Sequence, residues 1–362
     1  MSESIKVVDF FCGCGGASAG FKKAGMDVIL GVDFDQSAAE SYQLNFKNAT
    51  FINEDVRVLS PAKVAKKEPR IAEGPLLFTA CAPCQPFSAQ NKFKDADDHR
   101  ISLLDEMHVY IKKWKPEFIF IENVPGMQNV SEEEEGPFRR FIEMLVKQGY
   151  QYKKEIVFAN HYGVPQKRKR LVVVASRLGD ISIPARTHGD GLKPYTTVRK
   201  FIQNHPLLNS GEMAEKDELH VAARLTDINI ERIRHTPEGG DRRNWPSRLI
   251  NKCHKDYKGH TDTYGRMSWD SMAPTLTTKC NSYSNGRFGH PDVNQDRAIT
   301  IREALLLQTF PKKYKLSGSL VNLAKQVGNA VPVELAYHFG LEINACLDRY
   351  AASKGSKKKR KK

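Results

Sequence analysis

Asp9-Phe10-Phe11-Cys12-Gly13-Cys14-Gly15-Gly16 is the stretch on which the reading of this chain turns. It closes a short apolar run, Ile5–Phe11, and opens a helical segment, Ala17–Ala24. Glycines between a strand and a helix let the backbone approach a ligand, and the helix N-terminus behind them favours anionic groups. Outward from it the same alternation repeats. Asp27–Asp33 reads as a strand, Gln36–Asn45 as a helix and Ala49–Asp55 as a third strand. Gly74–Ala80 and Glu117–Asn123 are further apolar strands, with a helix around Leu103–Trp114 between them. Phe138, Phe141, Ile142, Leu145 and Val146 then form a helical stripe ending at Gly149, and Leu171–Ser176 is a last apolar strand. Strand and helix in this alternation predict an α/β fold with a mostly parallel sheet.

The alternation breaks near Arg177. From Ile181 to His290 the chain is irregular, rich in Pro, Gly, Asn and Thr, and holds 7 of the 11 histidines. It reads as a second, smaller domain. Regular helices return at Thr300, where Thr300-x-x-Glu303 is a capping-box pattern, and a longer helix is expected from Val333 to Tyr350. The expected organisation is therefore residues 1–178, 179–295, 296–350 returning to the first domain, and a basic disordered tail, 351–362.

Composition narrows the classes. No run of 18 apolar residues is present and the N-terminus lacks a signal-peptide core, so neither a membrane span nor export is expected. Seven cysteines, an odd and low count, fit free thiols in a reducing compartment. The net charge is +14, but seven of the positive charges lie in the last nine residues. Without those nine, 49 basic residues face 42 acidic ones, so the body is only moderately basic and a polyanionic partner is allowed rather than demanded.

Four constellations carry chemistry. In the glycine turn, Asp33 at the end of the next strand is placed for ribose hydroxyls and Asp55 for an adenine amino group. Taken alone, this signal equally allows a nicotinamide cofactor, or a tight turn with no ligand. Ala82-Pro83-Cys84-Gln85-Pro86-Phe87-Ser88 follows a strand, where α/β sheets bind ligands, and a thiolate there is a strong nucleophile. Cys81-x-x-Cys84 also has the spacing of a redox pair; no second pair at zinc-finger spacing accompanies it, so no metal is expected. Glu122-Asn123-Val124 ends another strand and can face Cys84, although a lone glutamate there also serves as a cap or ion-pair partner. Gln166-Lys167-Arg168-Lys169-Arg170 precedes the last strand, and alternation is expected to put Arg168 and Arg170 on one face. A basic strand edge that discourages aggregation accounts for it as well.

Together these motifs resemble the cytosine-5 DNA methyltransferases. Phe11-Cys-Gly-Cys-Gly-Gly, Pro-Cys84-Gln-Pro-Phe-Ser, Glu122-Asn-Val and Gln166-x-Arg168-x-Arg170 come in the family's order. Arg297-Ala-Ile-Thr-Ile-Arg302-Glu303, Leu307-Gln308-Thr-Phe310-Pro311 and Gln326-Val-Gly328-Asn329-Ala-Val331-Pro332 follow. Cys12, where the family often has alanine, is a small departure. The resemblance implies a Rossmann-like fold that takes S-adenosylmethionine as methyl donor, plus a target-recognition domain that reads double-stranded DNA. It implies Cys84 as nucleophile on carbon 6 of a flipped cytosine, Glu122 on nitrogen 3 and the amino group, Arg170 on the base carbonyl or a phosphate, and Arg168 orienting Glu122. Phe11, Gly13, Cys14, Gly15, Asp33, Asp55, Pro83, Asn329 and Val331 would line the donor pocket. Ser88, Arg242, Arg243 and Arg248 are expected at the DNA, and Pro274-Thr275-Leu276-Thr277 resembles a short signature of the recognition domain. The implied enzyme is a monomer, cytoplasmic and bound to the nucleoid through DNA, with a cognate restriction endonuclease as a further partner. The rivals are a transfer-RNA methyltransferase with the same apparatus, a redox protein using Cys81 and Cys84, and a nucleic-acid-binding module without catalysis.

Overall fold

A computed structural model describes residues 4–82, 103–126, 136–254 and 262–359, the side chains of His254 and 355–359 excepted. The described residues form two compact units. One comprises residues up to Phe158, Lys169–Arg186 and the chain from Val331 onward; the other comprises Ala159–Arg168 and Thr187–Ala330. Residues 296–330, expected to return to the first domain, thus cluster with the second; the return begins at Val331.

The first unit is built on a seven-stranded sheet. Its strands are β1 (Lys6–Phe10), β2 (Asp27–Asp33), β3 (Thr50–Asn53), β4 (Leu76–Ala80), β5 (Phe118–Asn123), β6 (Gln151–Phe158) and β7 (Lys169–Ser176). They lie in the order β3-β2-β1-β4-β5-β7-β6. β1 to β5 pair in parallel, whereas β7 runs antiparallel to both β5 and β6. Neither β6 nor the reversed β7 was legible in the sequence. β6, Gln-Tyr-Lys-Lys-Glu-Ile-Val-Phe, is an edge strand with mostly exposed side chains, so it lacks an apolar period.

Helices cover both faces. Strand alternation sends Val8 and Phe10 of β1 one way, where they meet Tyr110 and Met107 of α4 (Met107–Trp114) and Phe141 and Leu145 of α5 (Pro137–Lys147). The other face meets α1 (Gly16–Lys23) and α2 (Gln36–Asn45), and α10 (Val333–Lys359), with Phe120 of β5 between Phe21 and Phe339 at ring distances of 5.3 and 5.2 Å. α1 and α10 approach closely because glycines line the contact. A Cβ at Gly20 would sit 2.5 Å from Ala336 Cβ, and one at Gly16 would sit 2.3 Å from Val331 O. α3 (Pro61–Lys67), capped by Ser60, precedes β4. α10 runs on through Lys359, where the sequence had suggested disorder from residue 351. Among the described residues no helix is long and apolar enough to cross a membrane.

The second unit has short elements: α6 (Val198–Ile202), a hairpin of β8 (Met213–Ala214) and β9 (Asp217–Val221), α7 (Asp227–Arg234), α8 (Ile301–Leu307) and α9 (Leu320–Asn329). Its interior is polar as well as apolar. Arg297 pairs through both Nη atoms with the Glu303 carboxylate at 2.8 Å, both fully buried, and Thr300 caps α8 as its sequence pattern predicts.

Candidate active site

The glycine turn is tight because it reverses between β1 and α1 in a few residues. Phe11, Gly13 and Gly15 take positive φ values of 57°, 52° and 89°. Glycine adopts that region at no steric cost; Phe11 does not, and strained backbone of this kind clusters at functional sites. Cys12 N donates to Val32 O at 3.1 Å and Gly15 N to Cys12 O at 2.9 Å, which closes the turn on itself and on β2. Asp33 fastens it from the side. Its Oδ2 accepts from Gly13 N at 2.8 Å and its Oδ1 from Asp35 N at 3.0 Å. Burial raises the Asp33 carboxyl above its ordinary range, and these backbone donors oppose the shift. A Cβ at Gly13 would meet nothing within 4 Å, so the turn faces open space. Phe34, which sequence reading passed over, follows Asp33 and is 64 % exposed, an unusual position for a large apolar ring. Asp55 lies just beyond β3, with Arg57 N donating to its Oδ1 at 2.9 Å and the Arg57 guanidinium paired to its carboxylate. These features fit a nucleoside with an amino-acid tail: an open backbone turn, a carboxylate at each of two strand ends and an exposed aromatic ring.

Glu122 closes β5 with its side chain 8 % exposed. Arg170 of β7 reaches it, Nε to Oε1 at 2.8 Å, because antiparallel pairing sets Glu122 against Val172. The nitrogen lies off the line that would make a hydrogen bond, and Glu122 Oε1 is buried with no hydrogen-bond partner among the described residues. Next to it, Asn123 Nδ2 donates to Ala82 O at 3.1 Å and so fixes the chain two residues before Cys84. Pro83, Cys84 and Ser88 themselves lie outside the described residues. Cys81 lies within them, and its thiol is held well above the ordinary range, by burial first and by Glu122 and Asp9 next. A thiol so protonated is a poor partner in a redox pair.

The two arginines of the Gln-x-Arg-x-Arg motif part company. β7 begins at Lys169, so strand alternation does not extend to Arg168. Arg170 takes the carboxylate. Arg168, which the resemblance assigned to Glu122, instead sends its guanidinium to Leu276 O (3.2 Å), Gly328 O (3.3 Å) and Ala330 O (3.1 Å), all in the second unit. Gln166 joins it: its Nε2 donates to Gln308 Oε1 at 3.1 Å, and its Oε1 accepts from Leu276 N at 3.0 Å. Gln308 Nε2 in turn donates to Val327 O at 2.8 Å. This buried network holds the backbone on both sides of Asn329, whose side chain is exposed at the end of α9. It also joins four motifs that stand apart in the sequence.

Of the residues expected at DNA, Arg242 is 4 % exposed and donates to Thr263 Oγ1 at 2.9 Å, so it belongs to the interior. Arg243 and Arg248 are exposed, and each is ion-paired, with Asp241 and with Glu231. Among the described residues no group of three or more His, Cys, Asp or Glu side chains is arranged to hold a metal.

The sheet order, the single antiparallel strand among the inner five and the open turn after β1 define the class: a Rossmann-like methyltransferase fold. Solved structures agree in fold. A DNA modification methyltransferase encoded in an Escherichia coli prophage superposes with a TM-score of 0.73 at 21 % identity, over 95 % of this chain and 100 % of that one. A methyltransferase of Entamoeba histolytica gives 0.63 at 17 % identity, over 93 % and 97 %. The chain belongs to the C-5 cytosine-specific DNA methylase family, whose model matches residues 5–345. It is a DNA (cytosine-5) methyltransferase. Among curated relatives, the Type II methylase M.HgiDII of Herpetosiphon aurantiacus is 41 % identical over 94 % of this chain and 96 % of its own length. The Type II methyltransferase M.PspPI of a Psychrobacter species is 31 % identical over 94 % and 79 %.

Proposed function

We propose that the enzyme methylates carbon 5 of a cytosine flipped out of a specific duplex sequence, through a covalent bond from Cys84 to carbon 6. The observation that carries this reading is Glu122: a carboxylate buried at a strand end, ion-paired to Arg170, whose Oε1 has no hydrogen-bond partner among the described residues. Carbon 5 of cytosine is a weak nucleophile. Attack of the Cys84 thiolate on carbon 6 forms the S–C6 bond and moves electron density to carbon 5. Glu122 meets nitrogen 3 and the amino group as that charge develops, and Arg170 holds the carboxylate in place. When bound, S-adenosylmethionine supplies an electrophilic methyl group. After carbon 5 accepts it, the carbon 5 proton leaves to a base or water, the S–C6 bond breaks and Cys84 departs as thiolate. A stacked base is closed to such attack, hence the flipping.

Gly13, Cys14 and Gly15 of the glycine turn take the donor's amino-acid part, and Phe11 packs on its adenine. Asp33 takes the ribose, Asp55 the adenine, and Phe34 covers the ring, with Pro83 and Val331 completing the set. Residues 187–330 are read as the target-recognition part, in which Arg243 and Arg248 are better placed for DNA than Arg242. The likeness to two Type II enzymes supports a role as the modification half of a restriction-modification pair.

The test is a set of duplexes carrying 5-fluorocytosine at candidate sites, whose carbon 5 cannot lose a proton. With S-adenosylmethionine, the wild-type enzyme is expected to become permanently attached at its own site, and Cys84→Ser at none. Methyl transfer by Cys84→Ser at the wild-type rate would defeat the proposal.

A further inference from the structure

Asp9, the strand residue that leads into the glycine turn, takes no part in the contacts proposed above. Strand alternation points it away from Phe10 and toward α1, and it is 1 % exposed. Oδ2 accepts from Ser18 Oγ at 2.6 Å, and the Tyr42 hydroxyl lies 2.9 Å from the same serine. Oδ1 is buried with no hydrogen-bond partner among the described residues. An ionised carboxylate with a bare oxygen in the interior is costly unless a positive charge comes near. Among the described residues, the titratable groups that interact with it are ones whose ionised form is an anion: Asp33 at the end of β2, Cys12 and Cys14 in the turn, Tyr42 on α2 and Cys81 after β4. Burial pushes the Asp9 carboxyl up to about 7; the Ser18 bond opposes the shift and the Asp33 charge adds to it. Beneath the turn the fold has therefore gathered groups that an incoming cation would stabilise.

We infer that Asp9 is a charge-selective positioning residue that favours the sulfonium donor over the demethylated product. The inference rests on the reading of Phe11–Gly16 as the donor site. S-adenosylmethionine and S-adenosylhomocysteine share adenine, ribose and amino-acid tail; they differ by one methyl group and one positive charge. A carboxylate under the turn acts on that difference and leaves the shared parts alone. Once the methyl group has moved to cytosine the cation is gone, and the product lacks the attraction to Asp9 that held the donor. Because the cation favours the ionised carboxylate, donor affinity rises as pH takes Asp9 through its titration, and product affinity does not follow.

The experiment is calorimetric binding of S-adenosylmethionine, S-adenosylhomocysteine and sinefungin, which carries an amine at the sulfonium position, between pH 5.5 and 8.5. The preference for either cationic ligand over S-adenosylhomocysteine is expected to rise about tenfold across this range. Asp9→Asn should flatten the profile, and Ser18→Ala, which removes the bond that favours the ionised form, should move its midpoint upward. Asp33→Asn should weaken all three ligands and move the midpoint of the preference downward, since it removes a charge that raises Asp9. A wild-type preference independent of pH overturns the inference, as does Asp9→Asn with the wild-type preference at pH 8. If Asp9→Asn fails to fold, the wild-type profile and Ser18→Ala decide. Failure of the wild type to bind any of the three ligands overturns the donor-site reading itself, and this inference with it.

Discussion

Arg170 and Arg168 stand two residues apart and do unrelated work. Arg170 neutralises one buried carboxylate, so its loss leaves Glu122 as an uncompensated charge in the interior. Arg170→Ala is expected to destabilise the fold by about 3 kcal/mol, and Arg170→Ala with Glu122→Gln by clearly less, since the second change removes the orphaned charge. Thermal melting of the two variants checks this; a double variant no more stable than Arg170→Ala would show that the ion pair is not what the change removes. For catalysis, Glu122→Gln is expected to lower kcat by about a hundredfold or more with donor affinity nearly unchanged, in line with general acid–base roles. Single-turnover methylation beside donor binding separates the two effects. Arg168 offers a contrast, because its partners are three backbone carbonyls, which a single lysine ammonium cannot match in geometry. Arg168→Lys should therefore behave like Arg168→Ala in stability, each losing about 2 kcal/mol or more as buried carbonyls go unpaired. Full retention of stability by the lysine variant in urea unfolding would argue against this account.

At the scale of elements, the contact of α1 with α10 is the feature most exposed to a single change. Gly20 has Ala336 Cβ and Val333 O within 2.6 Å of where its own Cβ would stand. Gly20→Val must push the two helices apart, and a loss of about 3 kcal/mol or more is expected, in the range of severe overpacking. α1 carries the glycine turn at its N-terminus, so the same variant should weaken donor binding without touching a ligand-contacting side chain. Differential scanning calorimetry and donor binding on one preparation test both parts. β7 is the second informative element. Its antiparallel course is what brings Arg170 to Glu122, and a parallel strand with the same residues would present them to the other end of the sheet. That orientation follows from pairing with β5 and with β6, whose lysine-rich exposed edge conceals a strand in the sequence.

For the whole molecule, the two units should answer acid in opposite senses. In the second unit, burial lowers His290 to about 4 despite the neighbouring Glu303. A histidine whose folded pKa lies below its unfolded value of about 6.5 leaves stability intact above that value. Stability is lost as pH falls from about 6.5 toward 4, by about 2 kcal/mol at pH 5. In the first unit, Asp9 is raised to about 7, so protonation favours the folded form there, and that stability is present at low pH and lost as pH rises through 7. Hydrogen exchange at pH 7 and pH 5, corrected for intrinsic rates, should show protection falling around residues 288–303 and holding or rising around residues 5–20. Equal losses in both regions would count against these assignments, and His290→Gln should reduce the acid response around residues 288–303 and leave that around residues 5–20 unchanged.

Much of this enzyme was legible in the order of its residues. Six of the seven strands of the sheet, the glycine turn, Asp33, the helix cap at Thr300 and the run of ordered motifs could be read directly, because local periodicity and turn chemistry are properties of neighbouring residues. The chemistry implied by Cys84 and Glu122 came from the same source. What the sequence could not settle is which partner each polar side chain chooses. Arg168 and Arg170 look alike in a row of basic residues, and only tertiary pairing sends one to backbone carbonyls 108 to 162 positions away and the other to Glu122. Likewise Asp9 reads as an ordinary residue of an apolar strand; its burial among other acids arises where β1, β2, α1 and α2 meet. Local order determines elements, and the choice of partner among buried charges is made only when distant segments exclude water together.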